Sequence, residues 1–297
     1  MTIIFEHHIK LDSIANNVDD KTVTALTALF DSLVNTDNAL SKAQLKQAIS
    51  KGALWLTRGK HTQRLRRVKR VLQQGDELHF YYNGEVLSSE VPDAVLISDQ
   101  IDYSVWYKPF GMLSQGSKWS DHCTISRFAQ QYFPAERAVF TVHRLDKAAT
   151  GLILIAHSKK AAKALSSMFE NRTTNGNSLE KYYQIVVHGN HSINSQPQVI
   201  TTDVDGKSAR STFHCLTYDK IKDQSLVEVK IDSGRKHQIR VHAASINLPV
   251  VGDRLHGIAD ENEPLNLQLC AVRLSFICPM TKQAQSFILP EVLRPQL

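Results

Sequence analysis

The segment 142–154 constrains the fold most strongly, because it places a polar cluster directly before an apolar run. His143, Arg144 and Asp146 lie within four residues of each other, and Gly151 opens the run Gly-Leu-Ile-Leu-Ile. Apolar runs of this kind usually form buried strands. A carboxylate beside such a strand either ionises in a polar cleft with a cationic partner or caps an exposed turn. The first alternative describes an active site, and the spacing alone favours neither.

The length and composition of the chain predict a two-domain, well-packed protein. It has 297 residues, which is long for one domain and usual for two, and 42% of them are hydrophobic. No run approaches the roughly 20 apolar residues of a membrane span, and residues 1–10 do not resemble a signal peptide. The four cysteines match no zinc pattern. We therefore expect reduced thiols in a cytoplasmic protein, with no metal site and no membrane partner.

Residues 42–74 form a basic segment that contains ten Lys or Arg residues and no Asp or Glu. Most runs of charge form a solvated face. Here the lack of a balancing acid favours a surface that contacts phosphate groups, in a chain whose net charge is +6. Ser41 is predicted to cap a helix at the start of this segment, and residues 53–57 are predicted to form a short strand.

Two predicted strands further along the chain carry candidate functional residues. The first ends at Lys108-Pro109, and Gly111 permits the chain to reverse. Lys108 either contacts phosphate or is an ordinary lysine at the end of a strand. The second strand, at 179–189, alternates in polarity, so its two adjacent tyrosines face opposite sides. From the residues alone, Tyr183 is best interpreted as a core aromatic.

The segment 231–242 is the second strong signal. It packs two Arg, a Lys, two His and a Gln around three aliphatic residues. A buried segment tolerates that density of polar groups only where it faces anions. We therefore expect this segment to line a binding site for an anionic molecule.

The polar cluster resembles the signature of the RluA-type pseudouridine synthases. His143-Arg144-Leu145-Asp146 is followed, after two residues, by Ala-Thr-Gly at 149–151. The family pattern is His-Arg-Leu-Asp, two variable residues, Thr, Ser or Thr, and Gly, and its Asp is the catalytic nucleophile. The chain departs from the pattern at Ala149, where the family has a Thr whose hydroxyl is expected to support the loop.

Other segments resemble the same family in the same order, over about residues 103–280. They are Lys-Pro-x-Gly at 108–111, Lys-x-Tyr at 181–183 and Gly-Arg-x-His-Gln-Ile-Arg-x-His at 234–242. The resemblance implies that Asp146 is catalytic, that Arg240 pairs with it and keeps it ionised, and that Tyr183 stacks on the target base and assists proton removal. It implies that Arg144 enters the space that the flipped base leaves, although a surface salt bridge is the alternative. The implied substrate-binding residues are Arg144, His143, Lys108, Arg235 and His237.

Residues 38–82 resemble an S4 RNA-binding domain. The shared features are a Ser-started helix, Gly52, a short strand, a basic loop, and Gly75-Asp76 before a strand. Arg58-Gly59 stands where such domains have Asn-Gly. The resemblance implies an RNA-binding surface made of Arg58, Lys60, Arg64, Arg66, Arg67, Lys69 and Arg70.

Together these resemblances imply an isomerase that breaks the C1′–N1 bond of a uridine, rotates the uracil and rejoins it through C5, without a cofactor. They imply an α+β fold, in which a pseudouridine synthase domain with a mixed, mainly antiparallel curved sheet follows a small S4-like domain. The expected boundaries are 1–90 for the S4-like domain and its N-terminal extension, 91–102 for a linker and 103–297 for the catalytic domain. The expected partner is RNA, with 23S ribosomal RNA favoured over transfer RNA, and the expected state is a monomer.

Two alternatives differ from this interpretation in function class. The first is a catalytically inactive RNA-binding or ribosome-assembly factor with the same fold, for which Ala149 is the one indication. The presence of Asp146, Tyr183 and Arg240 together argues against it. The second is a zinc-dependent base deaminase, which needs a Cys-x-x-Cys pair that the chain lacks.

Overall fold

The computed structural model describes residues 3–11, 22–133, 137–170, 179–191, 196–258 and 265–297. The chain divides into two compact units. The first is Met1–Glu90 with Gly116–Thr124, and the second is Val91–Gln115 with Ile125–Leu297. Each unit has a hydrophobic core of its own. Within the described residues, no helix has both the length and the apolar character needed to cross a bilayer.

The first unit is a four-stranded antiparallel sheet with helices beside it. The strand order is β1-β4-β2-β3. In chain order its elements are β1 (Ile4–Lys10), α1 (Ala25–Leu33), α2 (Lys42–Ser50), β2 (Leu54–Arg58), β3 (His61–Leu65), β4 (Glu77–Asn83) and α3 (Gly84–Ser88).

The predicted start of α2 is confirmed. The Ser41 side chain accepts a hydrogen bond from the backbone N–H of Gln44, and the Gln44 side chain accepts one from the backbone N–H of Ser41. This reciprocal cap satisfies two donors that the helix itself leaves open. The apolar face of α2 buries Leu45, Ala48 and Ile49 in the core of the unit. The strand predicted at 53–57 is β2.

The second unit is built on a larger mixed sheet. Its strand order is β10-β11-β12-β9-β13-β8-β6-β5, with β14 paired to β13 and β7 to β8. The elements are β5 (Val95–Asp99), β6 (Tyr103–Lys108), α4 (Ile125–Tyr132), β7 (Phe140–Thr141), β8 (Thr150–Ala156), α5 (Lys159–Glu170), β9 (Glu180–His188), β10 (Gln198–Ile200), β11 (Ser211–Asp219), β12 (Gln224–Ile231), α6 (Gln238–Ser245), β13 (Leu269–Ile277) and β14 (Ala284–Ile288).

The predicted fold class, α+β with a mixed and mainly antiparallel sheet, is confirmed. Among the described strands, β8 and β13 pair in parallel and the other pairs are antiparallel. The prediction of a linker at 91–102 is wrong, because β5 lies in this range and pairs with β6 at the edge of the large sheet. Ala94, just before β5, is buried. β5 is a short strand with the apolar residues Val95, Leu96 and Ile97, and as an edge strand it has one partner.

Gly151 shows why the signature segment needs a glycine where β8 begins. Its φ is +105°, and a Cβ at this position would lie 2.3 Å from the carbonyl oxygen of Ala271 on β13. Only glycine combines that backbone conformation with so close an approach of two strands. The pairing of β8 with β13 therefore fixes the start of β8, and with it the loop that carries Asp146.

Candidate active site

A cavity of about 430 Å³ in the second unit brings together the segments that the sequence analysis selected. Its walls come from the segments 113–115, 143–149, 181–183 and 231–240, together with Leu269. The cavity therefore joins the loop before β8, the strand β9 and the start of α6. These segments are far apart in the sequence and meet because β8, β13, β9 and β12 are neighbours in the sheet.

Asp146 lies in the loop between β7 and β8, and its side chain is 32% exposed toward the cavity. The backbone of the preceding residue is clamped by Ser114. The Ser114 hydroxyl donates to the carbonyl of Leu145 at 2.7 Å and accepts from its N–H at 3.0 Å. Leu145 itself is buried in the core. The carboxylate of Asp146 thus lies at the cavity on a loop in which both the N–H and the C=O of the preceding residue are hydrogen-bonded.

Arg240 approaches Asp146 from the first turns of α6, as the resemblance implied, but its main partner is another acid. Its Nη1 lies 3.9 Å from Oδ2 of Asp146, whereas its Nε and Nη2 donate to the two carboxylate oxygens of Asp253 at 2.7 and 2.6 Å. Both side chains of this second pair are nearly fully buried. A two-point pair of this kind fixes the plane of the guanidinium. Asp253 therefore orients Arg240, and the remaining nitrogen faces Asp146.

The charge of Asp253 is maintained despite its burial. Burial alone would raise the pKa of Asp253, but hydrogen bonds from Arg240 and from the backbone N–H groups of His256 and Leu255 lower it below its usual range. A buried carboxylate with this many donors stays ionised. It can therefore serve as a fixed negative charge behind Arg240.

His237 is the second cation-forming group beside Asp146. It precedes α6 in the left-handed conformation, with φ of 56°, and its Nε2 lies 3.7 Å from Oδ2 of Asp146. Its other ring nitrogen, Nδ1, lies 2.9 Å from Nε2 of His256. Burial lowers the pKa of His237, the charge of Asp146 raises it, and the charge of Arg240 lowers it, with a lowered pKa as the result. His237 is therefore predominantly neutral near pH 7.

Tyr183 lines the cavity from β9, where it is buried and paired with Val229 and Ala271 on the two neighbouring strands. Lys181 is two residues earlier on the same strand, and it also lines the cavity. Its ammonium lies 4.3 Å from the ring centroid of Phe169, so the aromatic face stabilises the buried cation. Tyr183 therefore belongs to the hydrophobic core, as the residues alone predicted, and it is also part of the cavity wall.

Lys108 does not stand where a phosphate reaches it, so its assignment to substrate binding is corrected. Its side chain is fully buried, and the ammonium donates to the backbone carbonyls of Pro109, Met112 and Lys147 at 3.2, 2.8 and 3.4 Å. Burial lowers its pKa to about 7, although the charge of Asp146 opposes this shift. Lys108 holds together two loops under the cavity. The sequence pattern could not show this, because a strand-end lysine is usually exposed.

The remaining predicted substrate residues differ in position. Arg144 and Arg235 are exposed and line the cavity. Arg235 also donates through Nε to the carbonyl of Ser208 at 3.0 Å. His143 stacks on Phe169 at 4.1 Å, and its Nε2 accepts from the backbone N–H of Leu154. His143 thus ties the signature loop to α5 and β8 as well as lining the cavity.

Sequence reasoning missed three residues that organise the site. Asp253 and His256 were not selected as site residues. Gln238 is buried, accepts from the hydroxyl of Ser233 and donates to that of Ser211. An acid placed after glycine, downstream of a buried arginine, was the available signal for Asp253. Among the described residues, no group of three or more His, Cys, Asp or Glu side chains is arranged to hold a metal ion.

The basic segment of the first unit is only partly free to bind RNA. Arg58 makes a two-point pair with the buried Asp76, with Nε–Oδ1 and Nη2–Oδ2 distances of 2.8 and 2.7 Å. Arg64 and Arg66 both pair with Asp121. The expectation that no acid balances these arginines is therefore wrong, because Asp76 and Asp121 lie outside the basic segment in sequence.

Arg64 is further engaged within the first unit. It donates to the backbone carbonyls of Gly52 and Ser117, and its guanidinium lies 4.3 Å from the ring centroid of Trp55. The predicted RNA-binding residues with exposed side chains are Lys60, Arg67 and Lys69, and Arg70 is half-buried. A concavity of about 710 Å³ in this unit is lined by five cationic side chains: Arg58, Arg66, Arg67, Lys69 and Arg70.

Comparisons with known proteins agree with the geometry of the second unit. A family model described as RNA pseudouridylate synthase matches residues 102–245. An uncharacterized RNA pseudouridine synthase of Aquifex aeolicus is 25% identical over 283 residues, which cover 84% of this chain and 86% of the relative. A ribosomal large subunit pseudouridine synthase D of Zymomonas mobilis is 29% identical over 167 residues, or 49% of this chain and 50% of the relative. The chain thus spans most of one relative and about half of the other.

Among solved structures, human RNA Pseudouridylate Synthase Domain Containing 1 is similar with a TM-score of 0.56 and 21% sequence identity. The similarity covers 68% of this chain and 85% of the human chain. At this identity the likeness concerns the fold.

Proposed function

Because the chain belongs to the RNA pseudouridylate synthase family, we propose that it converts a specific uridine of a structured RNA to pseudouridine, with Asp146 as the catalytic carboxylate. The observation that carries this proposal is the surrounding of Asp146. Its carboxylate lies at the cavity wall, and Arg240 and His237 approach the same oxygen, Oδ2, at 3.9 and 3.7 Å. The always-charged guanidinium attracts the ionised carboxylate, and this is the form in which a nucleophile or base reacts.

The reaction balances within one nucleotide. The C1′–N1 bond breaks, a C1′–C5 bond forms, the C5 proton leaves and N1 gains a proton. Asp146 acts either as a nucleophile at C1′ or as a base on C2′, and both roles need the ionised form. Nε and Nη2 of Arg240 donate to Asp253. Arg240 therefore attracts the carboxylate of Asp146 without forming a close hydrogen bond to it. Isomerisation therefore needs no co-reactant.

The other cavity residues suit a flipped nucleotide. Tyr183 lines the same cavity as Asp146, so its ring can stack on the uracil and its hydroxyl can assist removal of the C5 proton. The exposed guanidinium of Arg144 can stack in the space that the base leaves in the RNA. Flipping costs a few kcal/mol, which contacts in the cavity offset.

We further propose that the substrate is large-subunit ribosomal RNA rather than transfer RNA. One relative is named as a ribosomal large subunit pseudouridine synthase D, and the exposed cations of the first unit suit the backbone of a large structured RNA. The S4-like role of this unit is part of the same proposal. Lys60, Arg67 and Lys69 are its exposed contributors, and the paired Arg64 and Arg66 are chiefly structural.

The experiment that tests the proposal is transcriptome-wide mapping of pseudouridine in cells that lack the protein, complemented with wild type or with Asp146→Asn. We expect a site that is lost in the deletion and restored only by wild type, in ribosomal RNA. If the lost site were in a transfer RNA, the proposal of ribosomal RNA as the substrate would be wrong. The absence of any lost site would favour the inactive RNA-binding alternative.

The Asp146→Asn substitution also gives the first quantitative prediction. Removal of the carboxylate should lower turnover of the identified RNA by at least about 10³-fold, because the reacting group itself is removed. Affinity for the RNA should change little, because Asp146 is one group in a large interface. The exposed Asp93, substituted in the same way, is the matched control. Turnover of Asp146→Asn within tenfold of wild type would contradict the assignment.

A further inference from the structure

Two histidines form a chain that ends at Asp146. Nε2 of His256 lies 2.9 Å from Nδ1 of His237, and Nε2 of His237 lies 3.7 Å from Oδ2 of Asp146. His256 lies three residues after Asp253, and its imidazole can set the orientation and the protonated nitrogen of the His237 ring.

His256 is held by the same acid that holds Arg240. Oδ1 of Asp253 accepts from the backbone N–H of His256 at 3.0 Å and from that of Leu255 at 3.0 Å, while the carboxylate also accepts both bonds from Arg240. Asp253 therefore fixes two elements at once, the guanidinium and the turn that carries His256. Both lead to the same oxygen of Asp146.

The chemistry of a neutral imidazole selects one arrangement of protons. A neutral ring carries one N–H and one lone pair. If the proton of His237 were on Nδ1, the lone pair of Nε2 would face the carboxylate of Asp146 and be repelled. With the proton on Nε2, the N–H faces the carboxylate, and Nδ1 becomes an acceptor that needs a donor. Nε2–H of His256 is at hydrogen-bond distance to be that donor.

We propose that His256 is a positioning residue, whose Nε2–H holds His237 in the tautomer and orientation that present Nε2–H to Asp146. The proposal rests on the proposed catalytic role of Asp146. It adds that orientation of the carboxylate depends on two supported donors, Arg240 through Asp253 and His237 through His256. Burial lowers the pKa of His237, which keeps the ring neutral near pH 7, where its tautomer matters.

Three substitutions of His256 separate the donor from the bulk of the ring. His256→Gln keeps an amide N–H at about the position of Nε2, whereas His256→Phe keeps the volume and removes the donor. His256→Asn, whose amide is too short to reach Nδ1, is a second donor-free variant if the aromatic one folds poorly. His214, exposed on β11, is the control site and is replaced by Gln and by Phe.

The first readout is spectroscopic and does not need activity. Long-range ¹H–¹⁵N spectra of the full-length, histidine-labelled protein distinguish a proton on Nδ1 from one on Nε2, and the signal of His237 is identified by its loss in His237→Gln. We expect the Nε2–H tautomer in wild type and in His256→Gln, and a mixed or Nδ1–H population in the donor-free variants. The Nδ1–H tautomer in wild type, or an unchanged tautomer in the donor-free variants, would overturn the proposal.

The second readout is kinetic. With the donor lost, kcat should fall by roughly fivefold to tenfold, the effect of one hydrogen bond. KM for the RNA should stay within about twofold, since His256 is not among the side chains that line the cavity. His256→Gln should restore kcat, and the His214 variants should match wild type. Equal kcat in His256→Phe and wild type would also overturn the proposal. If wild type itself has no synthase activity, the proposed function fails, and the tautomer spectra still decide this inference.

Discussion

The arginine-rich segments of the two units are alike in sequence and differ in how each guanidinium is held. In the first unit, Arg58, Arg64 and Arg66 pair with acids from outside their segment and complete the structure of the unit. In the second unit, Arg240 is also fixed by an acid, but one nitrogen is left directed at Asp146. The same pairing thus completes the structure of the unit in one case and, in the other, directs a guanidinium nitrogen at the proposed catalytic carboxylate.

The two pairs differ in how far the arginine is buried and in what surrounds the guanidinium nitrogen that does not contact the paired acid. The pair of Arg58 with Asp76 leaves Arg58 a third exposed, so water completes its hydrogen bonding. The pair of Arg240 with Asp253 is nearly fully buried, and its remaining nitrogen faces Asp146 at the cavity wall. An arginine can act on a second group when its acid fixes the guanidinium plane but leaves one of its nitrogens free to face that group.

Among the substitutions that compare the two acid–arginine pairs, the largest effect is expected from Asp253→Asn. This change leaves the buried guanidinium of Arg240 without its counter-charge, which should cost about 3 kcal/mol of unfolding free energy in the second unit. It should also lower kcat by at least about tenfold, because Arg240 and the turn of His256 both lose their anchor. Hydrogen exchange, followed by mass spectrometry, measures the stability of each unit separately.

Asp76→Asn is the matched change in the first unit. Because Arg58 is partly solvated, we expect a smaller loss of about 1–2 kcal/mol, confined to the first unit, with no change in kcat. If the two substitutions changed kcat equally, Asp253 would act through stability alone. The proposal that it orients Arg240 toward Asp146 would then be contradicted.

A second prediction compares Arg240 with the other buried cation beside the loop of Asp146. Lys108 donates to backbone carbonyls, and burial lowers its pKa to about 7. Above this pH the folded protein binds fewer protons than the unfolded chain, whose lysine titrates near 10.5. The unfolding free energy of wild type should therefore rise with pH from about 7 to about 9, by at most about 1.4 kcal/mol per pH unit, relative to Lys108→Met.

Urea unfolding at several pH values measures this difference, and the exposed Lys159, replaced by Met, is the control. A wild-type minus Lys108→Met difference that is constant from about pH 6 to pH 9 would mean that the three carbonyls keep the lysine charged. In that case the ammonium, with its three N–H groups, would resemble Arg240 in being a permanent cation, and the comparison would have to be restated in terms of geometry alone.

Local features of both units could be predicted from the sequence. The capped helix α2 was predicted because a Ser cap and the apolar spacing 45, 48 and 49 act over one or two helical turns. The strand β9 was predicted because its apolar and polar residues alternate. The neighbourhood of Asp146, Tyr183 and Arg240 was implied by the order of three motifs, and the structure brings all three side chains to one cavity.

Long-range pairing could not be predicted in the same way. Asp121 pairs with Arg64 and Arg66 although more than 50 residues separate them, and no local pattern marks it. The segment Gly116–Thr124 belongs to the first unit although it follows the start of the second unit in the chain. For Lys108 the pattern gave the strand end but not the burial of the side chain, because burial is decided by the loops at 109–112 and 147 that close over it.

The smallest effect on turnover, and the sharpest test of the first unit, concerns its exposed cations. Replacement of Arg67, Lys69 and Arg70 by Gln removes three charges that line the concavity of the first unit. Each lost phosphate contact should reduce the slope of log affinity against log salt by about 0.7–0.9, so the triple variant should lose about 2 units, while kcat at saturating RNA stays unchanged. Fluorescence anisotropy with the RNA found by mapping measures the slope.

The matched variant is Arg64→Gln with Arg66→Gln, which removes two cations that Asp121 already neutralises in part. We expect it to destabilise the first unit and to change the salt slope by less than about 1 unit. A slope change per residue equal to that of the triple variant would show that the paired arginines leave Asp121 when RNA binds. Asp121 would then compete with RNA phosphates for these arginines, and Arg64 and Arg66 would contribute to RNA binding although they are paired in the free protein.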